Sequence, residues 1–200
     1  METTAIHRAI EGQAANHGDA VALADAFQSM TYRELNQRAN GVARCLVAHG
    51  FGRGAVAIVN LPRSMNLAVA CLGVLKAGGA YTWMELDATW PRGISIQIDQ
   101  THRETRFLAV DITRALTEPP QSGPNLPILT RGSDVACVIT GKSALPVLVP
   151  HETVTSLTSG SVPSHAAWQD EAGALDLWVG LIAGATVLVT PERQLSMSAA

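Results

Sequence analysis

The strongest constraint on this chain's fold is an alternation of short β-branched runs with helix-patterned segments, each junction marked by glycine or proline. Ser29 or Thr31 can cap a helix, and Glu34 lies three residues after Thr31 in capping-box register. Leu35, Ala39, Val42, Ala43, Leu46 and Val47 then recur at helical spacing, and His49-Gly50 closes the segment. AVAIVN, Ala55 to Asn60, reads as a buried parallel strand ended by Pro62, and a helix runs from Ser64 to Ala77, with Gly78-Gly79 as its stop. Upstream, Ala5 to Ala15 has helical spacing with Thr3 or Thr4 as cap and Gly18 near its end, and Val21 to Phe27 alternates as a strand does.

The alternation continues with a strand at Ala80 to Met84, a helix opening at Pro91, and strands at Phe107 to Val110 and Val135 to Ile139. A helix from Leu175 to Ile182 leads through Gly184 to a strand, Thr186 to Val189. This order predicts an α/β fold, a mainly parallel sheet with helices on both faces, joined by right-handed crossovers. TEPPQSGPNLP, Thr117 to Pro127, is a surface loop or sub-domain link within one domain spanning 1–200.

Composition narrows the function classes. Fourteen basic residues against seventeen acidic ones give a net charge of -3 and form no basic stripe, so a nucleic-acid partner is not expected. The longest uncharged apolar stretches, Leu67 to Leu75 and Leu177 to Val189, fall short of the roughly 18 residues of a membrane span. Cys45, Cys71 and Cys137 sit apart in apolar stretches and read as buried thiols, and the amino terminus lacks a secretory pattern; the expected setting is cytoplasmic.

Three segments carry a resemblance. MTYRELNQRANGVARCLVAHGFGRGAVAIVNLPRS, Met30 to Ser64, follows a TYxELNxxAN opening; VACLGVLKAGGAY, Val69 to Tyr81, is close to LKAGxAY and is followed by DATWP, Asp87 to Pro91, in place of DPxYP. GLIAGATVLVTP, Gly180 to Pro191, matches a later helix and strand. In this order they resemble the amino-terminal part of adenylate-forming enzymes, specifically the adenylation domains of nonribosomal peptide synthetases. The resemblance implies that family's α/β fold and descent from an enzyme that activates a carboxylate with ATP and magnesium.

The matched segments are scaffold. The family's ATP loop, YTSGSTGxPKG, cradles the triphosphate with backbone amides and hydroxyls. After the matching strand DVACVI, Asp134 to Ile139, this chain reads TGKSALPVLVPHE, Thr140 to Glu152: a shorter loop, one glycine pair missing, and Val147 after Pro146 where the family has lysine. Thr140, Gly141, Lys142 and Ser143 are therefore a vestigial phosphate loop. Counting back from Gly184 places Glu171 over the aspartate with which the family holds a substrate amino group. The adenine-binding loop, the ribose-binding aspartate and the C-terminal domain with its catalytic lysine have no counterpart in these 200 residues. Transition-state stabilisation needs several preorganised donors, and losing one commonly costs roughly a hundredfold in rate.

Other motifs reduce to ordinary roles. Gly141-Lys142-Ser143 resembles the end of GxxxxGK[ST], but Ala136 stands where its first glycine is required, leaving a tight turn with a solvated lysine. Lys76, one of two lysines, sits at a helix C-terminus, where a cation complements the dipole. His151-Glu152 lacks the second histidine of HExxH and the six histidines never reach ligand spacing, so they read as surface residues and no metal is expected. Ser143 with His151 lacks the GxSxG elbow of a hydrolase. Trp83, Trp90, Trp168 and Trp178 are either packing residues or exposed anchors for a partner.

The expectation is a truncated, catalytically inactive adenylation-like domain, with no catalytic residues and no required cofactor. It would be an interaction platform for a neighbouring synthetase domain, foremost the condensation domain, or for itself. Two alternatives are one half of a split amino-acid adenylating ligase completed in trans, and a small nucleotide-binding module using the Gly141 turn.

Overall fold

A computed structural model describes residues 4–83, 93–100, 104–110, 112–117, 123–127, 130–139, 147–157 and 171–189. Two sheets share one core. The smaller contains β1 (Val21–Ala24), flanked by β2 (Ser29–Thr31), which is antiparallel to it, and by β9 (Val187–Leu188), which is parallel. β1 ends before Phe27 because Asp25 turns the chain: its carboxylate accepts from the backbone N–H of Phe27 and Gln28 at 2.8 and 2.9 Å.

The larger sheet has six strands: β3 (Val56–Asn60), β4 (Ala80–Trp83), β5 (Gly93–Gln100), β6 (Glu104–Val110), β7 (Val135–Ile139) and β8 (Val147–Pro150). Their order is β6-β5-β3-β4-β7-β8. The expected parallel pairing is confined to the centre, β3–β4–β7, whereas β5, β6 and β8 are antiparallel to their neighbours, making the sheet mixed rather than mainly parallel. The helix expected to open at Pro91 gives way to β5 from Gly93 onward; Pro91 itself lies outside the described residues. GISIQIDQ alternates isoleucine with small or polar residues at period two, and its hairpin with β6 supplies the partner that a helical start signal could not foresee.

The helices are α1 (Ile6–Asn16), α2 (Tyr32–Ala48), α3 (Met65–Lys76), α4 (Thr113–Thr117), α5 (His151–Ser156) and α6 (Glu171–Ile182). α2 begins with the complete capping box: Glu34 N–H donates to Thr31 Oγ1 at 3.2 Å, and Thr31 N–H donates to Glu34 Oε2 at 2.9 Å. Leu35, Ala39, Val42, Ala43 and Leu46 are buried, while Val47 at the end of the stripe is 41% exposed. Ala5 rather than Thr4 takes the N-cap position of α1 and makes no side-chain cap bond; Thr3 lies outside the described residues.

α3 is buried along nearly its whole length, as expected for a helix enclosed between α2 and the sheet. Its approach to α2 depends on Gly73, where an added Cβ would stand 2.5 Å from Val42 Cγ1. α3 ends at Gly78, whose φ of 87° is the left-handed conformation glycine adopts without a Cβ penalty. α6 is fastened by two aromatic contacts. Trp178 Nε1 donates to Tyr81 Oη at 2.7 Å, and Tyr32 Oη lies 3.0 and 2.8 Å from the carbonyls of Leu181 and Ala185. Trp178 is thus a packing residue; Trp90 and Trp168 lie outside the described residues. Cys71 and Cys137 are buried thiols, whereas Cys45 is only half-buried on α2.

Candidate functional site

The vestigial loop is placed by its flanking strands. β7 and β8 pair up to Ile139↔Val147, so residues 140–146 make the whole connection between them. Asp134 anchors the hairpin's other end. Arg53 grips its carboxylate with Nε at 3.1 Å and Nη2 at 2.7 Å, Arg131 N–H donates to it at 2.9 Å, and its own carbonyl accepts from His151 N–H at 3.1 Å. The Arg53 guanidinium holds the Asp134 carboxyl below the usual carboxylate range. Thr140, Gly141, Lys142 and Ser143 themselves lie outside the described residues. Glu171 is the first residue of α6, and its side chain is likewise outside the described set. The described contacts therefore join none of these five into one site.

Cavities border the scaffold among the described residues. One, of about 410 Å³, lies beside β7 and β8 with Val56, Ala80, Val138 and Leu148 in its wall and the Arg53–Asp134 pair at its rim. Another, of about 320 Å³, is polar and lies between the starts of α2 and α3, lined by Ser29, Glu34, Arg38, Ser64 and Asn66. Its best acid–base candidates are already engaged in capping. Glu34 closes the capping box, and Ser64 donates to Pro62 O at 3.0 Å and accepts from Leu67 N–H at 3.4 Å.

The chemistry-bearing side chains that do converge are buried between helices. Lys76 at the end of α3 is 1% exposed and pairs with Glu11 of α1, whose other carboxylate oxygen accepts from Arg8 at 2.8 Å. Asn125 Oδ1 accepts from Asn36 and Asn40 Nδ2 of α2, each at 3.0 Å, and from Lys76 Nζ at 3.3 Å, fastening residues 123–127 to two helices. Burial lowers the Lys76 ammonium's pKa, with the Glu11 carboxylate opposing. Lys76 is structural, as the sequence implied, but its main partner is a buried carboxylate rather than a helix dipole.

Two histidines overturn their reading as surface residues: His7 and His151 are 2% and 0% exposed. Burial first, then the charges of His151, Lys76 and Arg8, bring His7 down to about 3. Burial brings His151 down to about 4, against the opposing pull of Asp134. Both rings are held neutral in a sealed environment. Sequence reading missed His7, Glu11, Asn40 and Asn125; the one available signal was that His7 and Glu11 stand four apart on the apolar face of α1. Among the described residues, no group of three His, Cys, Asp or Glu side chains could hold a metal ion, and no helix is long and apolar enough to cross a membrane.

Residues 10–143 match the family described as AMP-binding enzyme. The chain belongs to the AMP-binding enzyme family. Among its curated relatives are nonribosomal peptide synthetases. It is 30% identical to tyrocidine synthase 3 of Brevibacillus parabrevis over 224 aligned residues, covering 94% of this chain and 3% of the synthetase. It is 34% identical to bacitracin synthase 1 of Bacillus licheniformis over 164 residues, covering 73% of this chain and 3% of the synthetase. Among solved structures, the fold of this AMP-binding chain is similar to the fused adenylation–PCP di-domain NpsA-ThdA from Klebsiella oxytoca. That match has a TM-score of 0.76 at 17% identity, covering 99% of this chain and 42% of the di-domain. VinN, solved with 3-methylaspartate, matches with a TM-score of 0.73 at 16% identity, covering all of this chain and 65% of VinN. The chain thus has the fold of the N-terminal part of adenylation domains and spans a small fraction of the synthetases it matches.

Proposed function

We propose that this chain is an adenylation-like domain of a peptide-synthetase assembly line that has kept the family's scaffold and lost adenylation, serving as an interaction platform. The observation that carries this reading is the β7–β8 connection: TGKSALP, residues 140–146, replaces the longer YTSGSTGxPKG run. A triphosphate cradle is a set of backbone amides and hydroxyls fixed together, and a loop with one glycine and fewer residues supplies too few of them. Thr140, Gly141, Lys142 and Ser143 are then a remnant rather than a working ATP and magnesium site. Glu171 marks where a substrate amino group would be held if the pocket were complete. The platform role is supported by β8, an edge strand of the large sheet on which Val147 and Leu148 are 54% and 61% exposed. The partner proposed is a neighbouring synthetase domain, foremost the condensation domain, with self-association as the other mode.

The test is amino-acid-dependent exchange of pyrophosphate into ATP by the chain alone, beside calorimetric titration of the chain with its neighbouring domain. The reading expects exchange at background for all amino acids and saturable binding of the neighbour. Exchange by the chain alone would overturn it, as would exchange on adding a polypeptide that carries the missing motifs, which would establish a split ligase. Failure to bind the neighbour, together with a strictly monomeric chain, would remove the platform role.

A further inference from the structure

The starts of α1 and α5 meet around the two buried histidines. Ile6 N–H donates to His151 Nδ1 at 3.2 Å, which requires that nitrogen to be unprotonated. His7 lies against the same ring, centroids 5.8 Å apart and planes inclined at 75°. Among the described residues, Nδ1 and Nε2 of His7 and Nε2 of His151 are buried without a hydrogen-bond partner, so no described acceptor stands ready for an imidazolium at those atoms.

The surrounding charges do not favour a proton either. On α1, Arg8 and Glu11 are the near groups, and Glu11 is already shared between Arg8 and Lys76 of α3. Arg44 of α2 adds positive charge near Lys76. Asp134, ahead of β7, attracts a proton to His151 but is committed to Arg53. On α5, Glu152 is exposed; on α6, which packs against both α1 and α5, Asp176 is half-buried. His151 also directly follows β8, and its N–H closes the base of the β7–β8 hairpin on Asp134 O.

We propose that His151, with His7 packed on it, is a proton-sensitive latch between the N-terminal helix and the base of the β7–β8 hairpin. Neutral, His151 accepts the Ile6 amide and holds α1 against the β8–α5 junction. When Nδ1 takes a proton from solvent, the amide loses its acceptor, a cation faces His7, and the two elements separate. The device does not depend on nucleotide binding, and it makes α1 a lever on the hairpin.

Hydrogen exchange of the whole chain, followed residue by residue between pH 8 and pH 5 and corrected for intrinsic rates, tests this. The released state titrates near 6.5 and the latched state near 4, so opening at Ile6 and at the β8 amides paired with β7 increases about thirty-fold over that range, through a local opening that urea hardly promotes, whereas α2 and α3 amides exchange through a larger, urea-sensitive opening. His151→Gln, whose carbonyl can accept the amide but cannot titrate, keeps protection at pH 8 and loses most of the pH dependence. His7→Phe retains the pH dependence due to His151. The proposal is overturned if the Ile6 and β8 amides of the wild-type chain exchange only through the same urea-sensitive global opening as the α2 and α3 amides, or if His151→Gln shows the wild-type pH response.

Discussion

Replacing Lys76 with methionine tests the buried polar centre most sharply. The ammonium is 1% exposed and Glu11 is 8% exposed, so the substitution leaves a carboxylate in the interior with only Arg8 to satisfy it. Breaking a buried pair from one side costs about 3–5 kcal/mol. The surviving Arg8 bond at 2.8 Å places the expected loss at the low end, about 3 kcal/mol, or roughly 6–12 °C in Tm for a chain of this size. Removing both partners, in Lys76→Met with Glu11→Leu, returns most of that loss, because an apolar pair leaves no uncompensated charge. Urea denaturation of the wild type, the two single variants and the double variant gives the coupling energy directly. A single-variant loss below about 0.5 kcal/mol, or a double variant whose loss equals the sum of the singles, would refute the assignment of a buried, mutually dependent pair.

Four smaller perturbations examine other parts of the account. Thr31→Ala removes one arm of the α2 capping box and should cost about 1 kcal/mol by urea titration; no measurable loss would mean the cap is not stabilising. Gly73→Ala sets a methyl 2.5 Å from Val42 Cγ1 and should destabilise by about 1–2 kcal/mol net, while Gly12→Ala on α1, with nothing within 4 Å, should gain about 0.5–1 kcal/mol. Both variants moving in the same direction would contradict the packing. Global stability should be full above about pH 6.5 and fall as pH drops toward 4, because unfolding raises the depressed pKa of His151 and the unfolded chain binds more protons there. The loss from this group is about 3 kcal/mol over the window, and a flat profile between pH 7.5 and 5 would exclude the neutral buried histidines.

The elements that the sequence revealed are those whose signals are local. Thr31 and Glu34 are three residues apart and form the capping box that their spacing implies; Ser64, Gly78 and the AVAIVN run likewise act within a few residues of themselves. β5 is not legible from the proline start signal at 91, because the period-two pattern GISIQIDQ that follows it prevails. The strand is fixed by pairing with β3 on one side and β6 on the other, which a reading of local pattern does not contain. The polar centre was hidden for a related reason. Lys76 and Glu11 lie 65 residues apart, His151 meets Ile6 across 145, and Asn125 stands in a proline-rich run that reads as surface. Burial of such groups is decided by how the helices pack, and a histidine in sequence gives no sign of whether it will be enclosed.

The central claim, a scaffold retained without its phosphate chemistry, is tested most directly by calorimetric titration of the chain with MgATP. The account predicts no saturable heat into the millimolar range. A one-to-one isotherm that Lys142→Ala abolishes would contradict it and restore the loop at 140–146 as a working nucleotide site.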